Sequence, residues 1–81
     1  MQGKIIGGYV KKCSEDKKWE SSATLFVQVD FPSDLLASSG LCVRSVCCEG
    51  KRLPKPLNEM VGKNYFICTN NNFASEFCEL K

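Results

Sequence analysis

Six cysteines, Cys13, Cys42, Cys47, Cys48, Cys68 and Cys78, are the residues of this chain best suited to chemistry, and the sequence contains no histidine. Zinc sites in small domains use close cysteine pairs, commonly completed by histidine. The spacing here is C-x28-C-x4-C-C-x19-C-x9-C, and only Cys42 and Cys47 approach that pattern. A redox-active dithiol uses Cys-x-x-Cys at a helix start, and that motif is absent. Without histidine there is no Cys-His or Ser-His-Asp arrangement. What remains is a disulfide framework of even number, the reading that suits a short secreted domain.

Carboxylates offer a second chemistry. A glycosidase needs a facing pair, and the candidates are Glu15, Asp16, Glu20, Asp30, Asp34, Glu49, Glu59, Glu76 and Glu79. Most fall in polar or turn contexts, and 81 residues leave little room for a deep cleft. The sequence therefore predicts no enzyme, no metal and no cofactor.

The length allows one domain, residues 1–81. A core this small is thin, and cross-links worth about 2–4 kcal/mol each would reinforce it. Residues 1–8 hold no apolar run long enough for a signal peptide, so Met1 reads either as a start placed on a mature, secreted domain, the favoured reading, or as the start of a cytosolic chain. No stretch approaches the length of a membrane span. The net charge is +2, from 11 basic and 9 acidic side chains. That balance lacks the one-sided excess of a general nucleic-acid binder, so nucleic acid is not an expected partner. Basic residues cluster at Lys11-Lys12, Lys17-Lys18 and Lys51-Arg52 with Lys55. The segment Lys51-Arg52-Leu53-Pro54-Lys55 is the expected contact surface. It joins charge for steering to an exposed Leu53, on a backbone whose prolines limit the entropy lost on binding.

These side chains need a scaffold. Residues 4–13 read as a first strand, with Gly7-Gly8 marking a bulge or a close backbone approach. Ser14 to Lys18 is a polar turn. Between Trp19 and Phe31 the alternation is clearest. Leu25, Val27, Val29 and Phe31 share one face, and Phe26, Gln28 and Asp30 the other, as in a half-buried strand. Ser33 can cap a short helix over Leu35-Leu36-Ala37 that stops at Gly40. Leu41 to Glu49 is a third strand. Cys42, Arg44, Val46 and Cys48 lie on one of its faces, and Leu41, Val43, Ser45 and Cys47 on the other. The adjacent Cys47 and Cys48 therefore reach different partners. Gly50 to Pro56 is an exposed loop. From Leu57 two readings fit: one helix with Leu57, Met60, Val61, Tyr65 and Cys68 on a stripe, or a helix ending at Gly62 and a strand over Tyr65 to Cys68. Asn70-Asn71-Asn72 is a turn, and Phe73 to Leu80 closes the fold.

Gly62-Lys63-Asn64-Tyr65-Phe66-Ile67-Cys68, followed by nine residues and Cys78, resembles the G-x-x-[YF]-x-x-C-x9-C ending of the viral killer-toxin subunits of smut fungi. Fungal plant-pathogen effectors are similar in length and cysteine content. The resemblance implies a ferredoxin-like α/β sandwich, a secreted monomer, and action by binding a protein or cell-surface target. The expected fold is accordingly α+β, a disulfide-rich antiparallel sheet with one or two short helices on one face. The expected function is a secreted effector or toxin. The alternatives are a protease inhibitor presenting the 50–56 loop and a membrane-active antimicrobial protein, although no amphipathic helix supports the latter.

Overall fold

Alternation along one strand sets the wall around which the rest is built. In the computed structural model, which describes residues 1–13 and 21–80, β2 (Ser21–Val29) buries Ala23, Leu25 and Val27 and turns Ser22, Thr24, Phe26 and Gln28 outward. Antiparallel neighbours flank it: β1 (Gln2–Lys12) and β3 (Cys42–Glu49), which sets Val46 and Cys48 inward. A 3-10 turn over Gly50–Arg52 and a one-turn helix, α1 (Leu57–Met60), lead to the hairpin of β4 (Asn64–Asn70) and β5 (Phe73–Glu79). The strands close in the order β1-β2-β3-β5-β4, with β4 returning to β1.

Closure requires β1 to serve two neighbours. Its first residues pair with β4, Gly3 facing Tyr65, while the stretch from Lys4 to Lys12 pairs with β2. The register slips between Ile5 and Gly7, a bulge that bends the strand around the barrel. Just beyond it, a Cβ on Gly8 would stand 2.6 Å from the Thr24 carbonyl oxygen, so only glycine permits that approach. The other seam is parallel. Cys47 of β3 faces Phe73 of β5, and its N–H donates to the Asn72 carbonyl at 2.9 Å. The β4–β5 turn is made by Asn71 and Asn72, at φ 52° and 65°, the left-handed pair that a tight hairpin favours.

Inside lie Ile5, Leu25, Val27, Val46, Cys48, Met60, Tyr65 and Ile67, with Ala23 and Ala74 filling the narrow places. Met60 is the plug that α1 contributes, and Leu57 and Leu53 pack beside it. Gly62, at φ 91°, ends the helix in the left-handed conformation. Its N–H donates to the Ile5 carbonyl and the Ile5 N–H to the Lys63 carbonyl, which ties the plug to β1.

The architecture corrects the expected α+β sheet and the ferredoxin-like sandwich. Among the described residues no helix layer covers a sheet; a closed five-stranded barrel buries its own inner face. Of the two readings over 57–68, the short helix and strand is the one observed, because Gly62 stops the helix and Tyr65 and Ile67 alternate inward. The helix expected over Leu35 to Ala37 is absent, and residues 30–41 are irregular. A single turn costs more to nucleate than it returns unless an apolar face packs, and Leu35 and Leu36 are both exposed. The polar turn from Ser14 to Lys18 and the residues Trp19 and Glu20 lie outside the described residues. No described helix is long and apolar enough to cross a membrane.

Candidate functional site

The barrel separates the cysteines rather than gathering them. Cys48 is inside, 1% exposed, and burial, then the neighbouring Cys47, pushes its thiol above the ordinary value. Cys47 points outward, its sulfur 3.7 Å from the Thr24 hydroxyl. Cys42 is half-buried at the start of β3, and Cys13 follows the end of β1. On the β4–β5 hairpin Cys78 faces Phe66 and Cys68 faces Glu76. None of the six is bonded to another. Among the described residues no three histidine, cysteine or acidic side chains converge as metal ligands would.

The segment expected to make contact is already occupied within the molecule. Lys51 and Arg52 reach the two Glu49 oxygens, at 3.3 and 3.7 Å, and Lys55 reaches Glu79 at 3.1 Å. Leu53, expected to be exposed, is half-buried against the core. These pairs are near the surface and worth little in stability, but they satisfy the charges that were to steer a partner.

The outer face of β1, β2 and β3 assembles a set that the sequence reading did not single out. Register places Tyr9 opposite Thr24 and Gly7 opposite Phe26. Across that diagonal the Tyr9 and Phe26 rings meet with centroids 6.3 Å apart, inclined by 54°. Tyr9 is 50% and Phe26 37% exposed. Opposite Phe26, Gly7 supplies no side chain to cover the ring, and the next strand supplies only Ser45. The same three strands carry Lys4, Lys11, Lys12 and Arg44, all exposed, against one carboxylate, Glu49, which Lys51 and Arg52 engage. Lys4 and Lys11 share the outward register of Tyr9 and Phe26, while Lys12 and Arg44, opposite Ser21 and Val27, fall on the alternate one. β4 and β5 reverse the balance, with Glu76 and Glu79 and no cation. The chain's modest net charge conceals this division between two sides of one barrel.

At one end of the face, the Asn71-Asn72 turn stands beside Cys47, on the row where Thr24 and Tyr9 face each other. At the other end, β1 and β2 open into a cleft lined by Gln2, Lys4, Gln28, Asp30 and Asn64. Periodicity identified the inward Leu25 and Val27 of β2; the outward residues were invisible as a group because strand order, not sequence distance, brings Tyr9 to Phe26. No family model, curated protein or solved structure matches the chain.

Proposed function

We propose that this barrel binds single-stranded nucleic acid across the outer face of β1, β2 and β3, with Tyr9 and Phe26 as the surface on which bases stack. The observation that carries the reading is the exposed aromatic pair on an outer face that also presents Lys4 and Lys11, and on which Glu49 is already paired. Bases stack on such rings whatever their identity, and lysines along the track neutralise the backbone. The strand order supports it. A five-stranded barrel running β1-β2-β3-β5-β4 has the arrangement of OB-type barrels, which use the β2–β3 face and the β1–β2 and β4–β5 loops to hold oligonucleotides or oligosaccharides. Fold alone does not assign a ligand. Lys4 and Lys11 on that face favour the polyanion over a neutral sugar.

This reading replaces the expectation that nucleic acid is not a partner, which rested on the summed charge. The secreted toxin or effector reading rests on cystine formation, and a thiol count tests it directly.

Fluorescence titration with a labelled eight-nucleotide thymidine strand in low salt is the test. Saturable binding is expected, together with its loss when Tyr9 and Phe26 are both changed to alanine in a variant of unaltered circular dichroism. No binding, or binding indifferent to both rings, would remove the proposal. Binding of a neutral oligosaccharide instead would remove it as well.

A further inference from the structure

Beyond Phe26 the face runs into the cleft of about 560 Å³ between Lys4, Gln28, Asp30 and Asn64, above Gly3. Gln28 is two residues from Phe26 on the same side of β2, one strand repeat of about 6.8 Å. The floor is backbone, since a Cβ on Gly3 would collide with the Gln28 carbonyl oxygen. Among the described residues, these four polar side chains make no hydrogen bond or ion pair with one another or with the rest of the chain. The cleft is large enough for a small ligand and carries unused donors and acceptors.

We infer that this cleft takes a guanine base of the bound strand, a proposal that rests on the nucleic-acid reading above. The Asp30 carboxylate repels phosphate, so the group that enters beside it is a base rather than the backbone. An ionised carboxylate is an acceptor alone. Guanine presents two adjacent N–H donors, at N1 and N2, which match its two oxygens. The neighbouring O6 accepts from the Lys4 ammonium or from the amide of Gln28 or Asn64. Adenine and cytosine place a ring-nitrogen lone pair against the carboxylate, and thymine flanks its single N–H with two carbonyls. Each mismatch is repulsive, which is how a site discriminates between partners of equal stacking strength.

The experiment compares the eight-nucleotide thymidine strand with strands carrying one guanine, adenine or cytosine, on the full chain and on Asp30→Asn. Asp30 is exposed, so circular dichroism should be unchanged by the substitution. A single guanine is expected to tighten binding about tenfold, the range of one bidentate contact, and adenine or cytosine to leave it unchanged. In Asp30→Asn the guanine advantage, taken as the ratio to the thymidine strand on the same variant, falls below about twofold, a loss of most of that contact. Equal affinity for all four strands, or a guanine advantage that survives Asp30→Asn, overturns the cleft assignment and leaves the proposed function standing. Failure to bind any strand overturns the proposed function itself. Guanosine monophosphate offers the same base edge without neighbours to stack on Phe26 and Tyr9, and should not displace the strand at equal concentration. Displacement would make the cleft a mononucleotide site and overturn its place on the strand's path.

Discussion

Cys47 and Cys48, adjacent in sequence, stand on opposite sides of the barrel wall: one thiol beside the Thr24 hydroxyl on the outer face, the other enclosed with Val46 in the core. A strand's two-residue period makes this unavoidable, and it gives two thiols of the same β-strand different chemistry.

The first prediction concerns their reactivity. In native protein a bulky maleimide should label Cys47 quickly and Cys48 only as the barrel opens, since burial both shields that thiol and disfavours its thiolate. Labelled Cys47 should obstruct strand binding. With no other cysteine in the core, Cys48 should remain a thiol, and titration of denatured, unreduced protein should count at least one. A count of zero would restore the sequence expectation of complete oxidation.

Tyr9→Ala and Phe26→Ala should each weaken strand binding by about 1–3 kcal/mol, the contribution of one stacked base. Tyr9→Phe should retain it, because a ring face is what the base requires. Equal losses from an alanine at the exposed Leu36, which lies outside the strands, would show that the face has been misplaced.

Salt dependence follows from the cations. If Lys4 and Lys11 each neutralise a phosphate, the slope of log affinity against log salt is about −1.4 for a single strand. Lys11→Ala should reduce its magnitude by about 0.7. Lys51→Ser and Lys55→Ser should leave the slope alone, because those ammonium groups are paired with Glu49 and Glu79.

Tyr65 provides a stability test independent of ligand. Its hydroxyl is buried with no partner among the described residues, while its ring meets Phe77 edge-on at 6.4 Å. An unmade hydrogen bond of this kind costs about 1–3 kcal/mol, so Tyr65→Phe should raise the midpoint of denaturant unfolding. Burial, and then Glu79, hold the Tyr65 phenol above its ordinary value of 10.0. The folded state therefore keeps the proton longer than the unfolded chain. Stability is complete below pH 10 and declines as pH rises past it. Tyr65→Phe should flatten that alkaline decline, as measured by unfolding at a series of pH values.

The strands were legible because their cause is local. Leu25 and Val27 alternate with Phe26 and Gln28, and no other element is needed to decide which side is inward. The bulge was legible in Gly7-Gly8, and the hairpin in the asparagines. Closure was not, because the pairing of β3 with β5 joins residues far apart in the chain, and nothing near Cys47 announces Phe73 as its neighbour. The same holds for the functional face. Lys51, Arg52 and Lys55 look like a patch in one dimension, yet Glu49 and Glu79 absorb them in three. Lys4, Tyr9, Lys11 and Phe26 look dispersed, yet they share one surface.

The parallel seam has a further consequence. β3 meets β5 at a single register pair, Cys47 with Phe73, so among the described residues most of the outer margin of β5 lacks a neighbouring strand. Such a margin is a template on which another chain can add itself by backbone pairing. Glu76 and Glu79 sit along it, and a second copy docking there would bring carboxylates against carboxylates. The charges that leave this side of the barrel unattractive to a polyanion thus also guard it against self-recruitment.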